Sequence, residues 1–97
     1  MAVMEKTYSH SPAILWNLIN DIVEMRKAKT KRDSEESMVV DTEMYGFKTV
    51  YIFNVVPSPG GSTVTVKTEG EDDYAKRDVQ LMFATIDNML GPLTKTS

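Results

Sequence analysis

The chain has 97 residues and a formal net charge of −3, with 41% hydrophobic and 26% charged residues. These values are ordinary for one globular domain and give no global signature of a nucleic-acid-binding protein. The sequence contains no cysteine, which excludes disulfides, thiolate catalysis and cysteine-ligated zinc, and no apolar run approaches the roughly 18 residues needed to cross a membrane. Since the N-terminus lacks the pattern of a signal peptide, we expect one cytoplasmic domain over residues 1–97, with a flexible tail at about 93–97.

The first part of the chain predicts a strand followed by a helix. Residues Ala2–Tyr8 have no cleanly apolar face and predict an edge strand. Ser11 and Pro12 then predict a helix start, with serine as the N-cap and proline at the first helical position. Apolar residues at helical spacing continue to about Ala28, where we expect the helix to end. The high charge of residues 29–36 argues against a further strand there.

Three strands are predicted in the middle of the chain, separated by turns at Tyr45-Gly46 and Pro59-Gly60. They span Ser37–Met44, Phe47–Val56 and Ser62–Glu69. The second turn suits a type II geometry, because glycine supplies the positive φ that this turn requires. Both faces of Phe47–Val56 are largely apolar, which is typical of a strand covered on both sides or lying near a partner.

The last predicted helix is Asp73–Leu90. It follows the acidic run Glu69–Asp73, which suits the positive end of a helix dipole, and we expect Gly91-Pro92 to stop it. Its apolar stripe consists of Ala75, Val79, Met82, Phe83, Ile86, Met89 and Leu90. The element order β-α-β-β-β-α predicts an α+β protein in two layers, with helices on an antiparallel sheet.

Two stretches of the sequence together resemble a known superfamily. The first is a strand followed by a Ser-Pro-Ala-x-x-Trp helix start, KTYSHSPAILWNLINDI. The second is a Gly-Gly-Ser hairpin followed by a long helix, VVPSPGGSTVTVKTEGEDDYAKRDVQLMFATIDNMLGPL. This pattern resembles the helix-grip superfamily, or SRPBCC group, of START-like and birch-pollen-allergen-like proteins. Its members usually have more strands around the last helix, so a shallower TATA-binding-protein-like fold is the alternative.

The resemblance implies binding of a hydrophobic small molecule, such as a lipid, sterol or polyketide. The ligand would lie between the last helix and the sheet, in contact with Tyr51, Phe53, Met82, Phe83 and Ile86. A closed hydrophobic core would use the same side chains, so both interpretations stay open. The superfamily has no shared catalytic set; we therefore predict no catalytic residue and no cofactor, and an enzyme is the least supported class.

A protein-interaction module is the alternative function. Tyr74 and Leu81 lie one heptad apart, on the back of the last predicted helix. Together with the second apolar face of Phe47–Val56 they predict an exposed patch. A homodimer is the simplest use of such a patch, because small domains gain buried surface by pairing. Scattered apolar residues on an ordinary surface would give the same pattern.

Five cations occur close together, in the basic run Arg26, Lys27, Lys29, Lys31 and Arg32. Such a run could form a partner or anion surface that holds a phosphate or a nucleic-acid backbone. It lacks interleaved aromatic residues, and acidic residues follow it at once. A solvated helix end is therefore the favoured interpretation, and nucleic-acid binding is disfavoured.

The remaining candidates for chemistry give weak signals. His10 is the only histidine, and no partner at a recognisable catalytic spacing surrounds it. The acidic run Glu69–Asp73 lacks the alternating oxygen ligands of a calcium-binding loop. The sequence therefore predicts no metal site.

Overall fold

The computed structural model describes residues 2–44, 46–69 and 73–94. Within these ranges the strands are β1 (Ala2–Tyr8), β2 (Lys29–Ser34), β3 (Ser37–Met44), β4 (Phe47–Ser58) and β5 (Gly61–Thr68). The helices are α1 (Pro12–Met25) and α2 (Asp73–Thr94). Neither helix has the combination of length and apolar composition that a membrane crossing requires in this described part of the chain.

The five strands form one antiparallel sheet in the order β1-β5-β4-β3-β2. β1 therefore lies at an edge, as predicted, and pairs with the last strand in the sequence. Both helices contact the sheet, α1 at β4 and β5 and α2 at β5, and they also contact each other. The predicted α+β class, with helices on an antiparallel sheet, is confirmed.

The strand β2 corrects the predicted element order, which contained no strand between the first helix and Ser37. β2 pairs antiparallel with β3, with Arg32 opposite Met38. All six residues of β2 are exposed. An exposed strand lacks the alternation of apolar and polar residues by which strands are recognised in a sequence. The charged sequence of residues 29–36 therefore suggested a loop.

Helix α1 begins as predicted and ends earlier than predicted. The Ser11 hydroxyl accepts a hydrogen bond from the Ile14 amide, and proline occupies the first turn. The helix ends before Lys27, which has a φ of 55°. The Lys27 amide donates to the Glu24 carbonyl and the Ala28 amide to the Val23 carbonyl, which is a Schellman motif. Because lysine replaces the usual glycine there, the sequence did not indicate this end.

Helix α2 continues beyond its predicted stop. It passes through Gly91 and Pro92 to Thr94. Gly91 has no positive φ, so it does not form the left-handed C-cap that the sequence predicted. The described helix therefore includes the first part of the predicted tail, whereas residues 95–97 and the middle of the acidic run, residues 70–72, lie outside the described residues.

The hydrophobic core lies between the helices and one face of the sheet, because alternate side chains of β3, β4 and β5 point to that face. The strands contribute Tyr8, Met38, Val40, Tyr51, Phe53, Val55, Val64 and Val66. The helices contribute Leu15, Trp16, Ile19, Ile22, Val23, Ala75, Val79, Met82, Phe83, Ile86 and Leu90. The predicted stripe of α2 is thus buried, and only Met89 is partly buried.

Two glycines permit the β4–β5 hairpin for different reasons. Gly60 has a φ of 81°, which fits the predicted turn. Gly61 has no room for a side chain, since a Cβ would collide with the Tyr8 carbonyl oxygen and lie 2.7 Å from the Ser9 Cα. The close approach of β1 to the start of β5 therefore depends on the absence of a side chain at Gly61.

We expect Gly61→Ala to lower the free energy of unfolding by about 1–3 kcal/mol, because the added methyl group must displace the β1 backbone. Gly91→Ala is the matched control, since a Cβ there meets nothing within 4 Å. That variant should be neutral or more stable than the wild type by about 0.5–1 kcal/mol, because alanine favours helix. Urea unfolding monitored by circular dichroism measures both, and equal stability would contradict the close approach at Gly61.

Candidate functional site

The carboxylate of Asp78 on α2 is only 8% exposed and has two donors. Its Oδ2 accepts a hydrogen bond from the Tyr51 hydroxyl at 2.5 Å and another from Arg26 Nη1 at 2.8 Å. Tyr51 belongs to β4, and Arg26 is the C-cap of α1. One carboxylate oxygen therefore connects both helices with the centre of the sheet.

Helical spacing explains why this carboxylate is buried. Asp78 follows Ala75 by three residues and precedes Met82 by four, so all three side chains share one side of α2. A buried carboxylate is costly unless it is paired and hydrogen-bonded, and Arg26 and Tyr51 supply both requirements. The sequence analysis missed this residue, although an acid within an apolar helical stripe was an available signal.

Tyr51 has the protonation state that its hydrogen bond requires. Burial raises the pKa of its phenol above the ordinary value of 10.0, and the hydrogen bond to Asp78 raises it further. The Tyr51 ring lies 6.5 Å from the Phe53 ring, centroid to centroid, at an interplanar angle of 77°. This edge-to-face contact holds the ring in place, so the hydroxyl is a fixed donor at neutral pH.

A cavity of about 510 Å³ opens at one end of the helix–sheet layer. It lies between the end of α1 and the β3–β4 hairpin. Its lining residues are Arg26, Lys27, Lys29, Asp41, Thr42, Glu43, Lys48, Thr49 and Val50. The volume falls within the range of roughly 300–1,000 Å³ that is typical of small-molecule sites. Because Arg26 also binds Asp78, the cavity adjoins the buried carboxylate.

Thr42 and Thr49 provide the floor of the cavity. They lie opposite each other in the register of β3 and β4, and strand alternation places them on the same face as Tyr51. Both are half-buried. The charged residues Glu43 and Lys48 are also a cross-strand pair, but alternation assigns their side chains to the opposite face. The floor is therefore polar and uncharged.

Arg26 supplies the charge at the inner end of the cavity. Its side chain is 17% exposed, and its Nη1 donates to Asp78. The Arg26 Nε and Nη2 make no hydrogen bond to the other residues that the structure describes. Lys27 adds a second, exposed cation. The cavity therefore offers several hydrogen-bond donors, which suits a ligand with an anionic or acceptor group.

A second carboxylate of α2, Asp87, binds the edge strand β1. Lys6 forms an ion pair with Asp87, and its Nζ lies 5.5 Å from the centroid of the Tyr8 ring. Burial raises the pKa of the Tyr8 phenol, and the charge of Asp87 adds to the increase. The side chains of the ion pair are 44% and 41% exposed, so we expect this pair to contribute little to stability.

The predicted ligand-binding residues all belong to the hydrophobic core. They are Tyr51, Phe53, Met82, Phe83 and Ile86. Their exposure ranges from 0% for Tyr51 to 8% for Phe83. Phe83 also lines a shallow groove between β1 and α2, whereas none of the five lines the cavity beside Arg26. Their role in binding a ligand stays a prediction.

The basic run is divided by the fold. Its first three members, Arg26, Lys27 and Lys29, line the cavity. Lys31 and Arg32 lie on β2, where alternation directs their side chains to opposite faces of the sheet. Lys29 lies opposite Asp41 in the register of β2 and β3, and therefore on the sheet face away from Thr42. Of the five cations, Arg26 and Lys27 line the helix-covered side of the cavity.

Arg32 has a structural role at the edge of the core. Its guanidinium lies 3.9 Å from the centroid of the Trp16 ring, in a cation–π contact. It also donates to the carbonyls of Ser34 and Glu35, at 2.8 and 2.6 Å. These contacts connect the turn after β2 to α1, and they occupy the cation that was predicted to be part of an anion surface.

The predicted partner surface divides into two areas. Tyr74 and Leu81 are 37% and 58% exposed on α2. Tyr74 lies near Tyr51, since it adds to the increase in the Tyr51 pKa that burial and Asp78 cause. The sheet face away from the helices carries Val3, Val39, Val50, Ile52 and Val56, all exposed or half-buried. The predicted homodimer stays a prediction.

His10 lies in the turn before α1, where its carbonyl oxygen accepts a hydrogen bond from the Ser62 hydroxyl at 2.7 Å. Its Nδ1 is buried and has no partner among the residues described. No group of three or more metal-ligating side chains occurs in the described ranges. Within the described residues, the structure therefore supports a structural role for His10 in the turn and shows no partner for a catalytic role of its imidazole.

No protein-family model matches the sequence, and no curated protein matches it. Among solved structures, the chain is similar to protein MLL2253 from Mesorhizobium loti, with a TM-score of 0.73 and 14% identity over 94% of this chain and 96% of that chain. It is also similar to Ara h 8.0201, with a TM-score of 0.50 and 15% identity over 92% of this chain and 95% of that chain.

These similarities concern the fold, because identities this low carry no information about function. The Bet v 1-like fold of Ara h 8.0201 supports a helix-grip-like class for the present chain. Of the two folds considered from the sequence, the helix-grip arrangement is thus the supported one. Membership of the superfamily itself stays a prediction.

We expect Asp78→Asn to lower the free energy of unfolding by about 2 kcal/mol, because it removes the charged acceptor of Arg26 from a buried site. Asp87→Asn is the matched control and should cost less than about 1 kcal/mol, since its partner Lys6 is exposed. Urea unfolding at neutral pH measures both values. If the two substitutions cost the same, the buried carboxylate does not hold α2 in place.

The raised pKa of Tyr51 predicts a loss of stability in alkaline solution. The unfolded chain releases the Tyr51 proton near pH 10.0, whereas the folded state keeps it. The associated stability is fully present below this pH and is lost as the pH rises toward the folded pKa. Tyr51→Phe should therefore reduce the alkaline slope of the unfolding free energy by up to about 1.4 kcal/mol per pH unit.

Denaturant titrations at a series of alkaline pH values measure this slope. Val55→Ala is the control, because it removes buried apolar surface and leaves every titratable group intact. It should lower stability while it keeps the wild-type slope. A wild-type slope in Tyr51→Phe would show that Tyr51 binds its proton equally well in the folded and unfolded states.

Proposed function

We propose that the protein binds a small organic molecule in the cavity between the end of α1 and the β3–β4 hairpin. The observation that carries the proposal is the cavity itself, with its volume of about 510 Å³ and its position at the open end of the helix–sheet layer. A concave site of this size is in the range that small-molecule sites occupy, and its lining is mostly polar and charged.

The lining of the cavity offers contacts to both parts of an amphipathic molecule. The methyl groups of Thr42 and Thr49 and the aliphatic part of Lys27 provide apolar surface. Arg26 provides charge at the inner end. An amphipathic ligand would therefore place its apolar part along the walls and its polar group near Arg26.

The resemblance to the helix-grip superfamily supports the proposal, because it implies binding of hydrophobic small molecules. Fold similarity alone is weak support, since one fold serves many functions. The cavity adds a feature of this particular chain. Tyr51, which the resemblance suggested as a ligand contact, is connected to Arg26 by the hydrogen bonds that both donate to Asp78.

Titration with the fluorescent probe anilinonaphthalenesulfonate tests the proposal, because the probe combines an aromatic body with an anionic group. We expect saturable fluorescence enhancement with the folded wild type. Thr42→Phe, which fills the floor of the cavity, should abolish it. Thr65→Phe is the matched control, since Thr65 lies on the sheet face away from the helices and should leave probe binding unchanged.

Circular dichroism and urea unfolding confirm that both variants are folded before the titration. Equal probe binding by Thr42→Phe and the wild type would show that the probe does not occupy the cavity. Absence of saturable binding to the wild type would contradict the proposed function.

A further inference from the structure

We propose that the cavity selects organic anions and that Arg26 recognises the anionic group of the ligand. This inference rests on the proposed function and adds a ligand class to it: a small molecule with an apolar part and one carboxylate. It also assigns a recognising residue, which the fold similarity does not provide.

The geometry of Arg26 supports this role. A guanidinium carries five N–H donors in a planar fork that matches a carboxylate. The Arg26 Nη1 donates a hydrogen bond to Asp78 at 2.8 Å, and the Arg26 Nε and Nη2 have no hydrogen-bond partner within the described ranges. A second carboxylate approaching from the cavity could therefore bind Arg26 while Asp78 stays in place. Such charge-assisted bonds are among the strongest that proteins make.

The surroundings of Arg26 keep it in position before a ligand arrives. Asp78 is itself held by the Tyr51 hydroxyl at 2.5 Å, and Tyr51 is fully buried. Arg26 is the C-cap of α1, so its backbone is fixed by the end of that helix. A long side chain that is already ordered loses less conformational entropy on binding, which favours recognition by Arg26 over an exposed lysine.

The other groups on the helix-covered side of the cavity also favour an anion. Thr42 and Thr49 present hydroxyls that make no side-chain hydrogen bond to another described residue. The lining acid Asp41 lies opposite Lys29 in the register of β2 and β3. Alternation assigns Asp41 to the face away from Thr42, so it does not oppose an anion on the cavity floor.

A neutral cavity is the competing interpretation. If Asp78 cancels the charge of Arg26 completely, the cavity should bind an alcohol as well as a carboxylate of the same chain length. The two interpretations therefore differ in the ratio of two affinities, which can be measured on the wild-type protein without any substitution.

Octanoate and octanol are suitable probes, because they share an alkyl chain and differ in the charged group. Binding is followed by two-dimensional NMR titration of the labelled protein at neutral pH, with the amides of Thr42 and Thr49 as reporters. We expect octanoate to bind at least about tenfold more tightly than octanol, as a charge-assisted hydrogen bond implies.

Substitution of Arg26 tests its assigned role. Arg26→Gln should weaken octanoate binding by about tenfold or more and leave octanol binding within about twofold of the wild type. Arg77→Gln, at an exposed arginine of α2 that does not line the cavity, is the matched control and should change neither affinity. The double variant Arg26→Gln/Asp78→Asn removes both charges together. It replaces Arg26→Gln in the two titrations if the single variant does not fold.

Each outcome decides a different point. Preferential octanoate binding that depends on Arg26 and not on Arg77 supports the inference. Equal binding of the two probes, or octanoate binding that survives Arg26→Gln and the double variant, overturns it and leaves the proposed function intact. Binding of neither probe overturns the proposed function and the inference with it.

Discussion

The Asp78 carboxylate accepts hydrogen bonds from two elements that lie far apart in the sequence, and the arrangement of the layer depends on this shared acceptor. The Tyr51 hydroxyl of β4 donates to it, so this side of α2 faces the sheet. Arg26, the C-cap residue that follows the last residue of α1, also donates to it. The side of α2 that faces the sheet and the end of α1 therefore meet at one buried charge, which both donors stabilise.

The residues that follow α1 also border the cavity. Along the helix-covered face of β3 and β4, the buried pair Val40 and Tyr51 is followed by the half-buried pair Thr42 and Thr49. The change from apolar to polar side chains coincides with the loss of helical cover. The cavity lies beside the residues that follow α1, and its threonine floor is suited to contact with water or with a polar ligand.

Much of the fold could be predicted because one-sided burial leaves a period in the sequence, as in the α2 stripe and in strands β3–β5. The candidate site was harder to predict from the sequence, since Arg26 and Asp78 are 52 residues apart and Tyr51 and Asp78 are 27 residues apart. The periodicity of apolar residues identifies the side chains that face the core, but it does not show which of them contact one another. Three cations of the predicted anion surface do line the cavity, whereas the five predicted ligand contacts follow the core pattern and lie in the core.

The exposed strand β2 also affects whether other molecules can add a strand to the edge of the sheet. An open sheet ends in unpaired backbone groups, to which a strand of another molecule could add. Lys29, Lys31 and Asp33 occupy one such edge, and Glu5 and Lys6 occupy the other. Charges at both edges disfavour extension of the sheet into fibrous aggregates, because an added strand would have to desolvate them. The charged residues of β2, which made this strand hard to predict from the sequence, thus also disfavour aggregation of the folded protein.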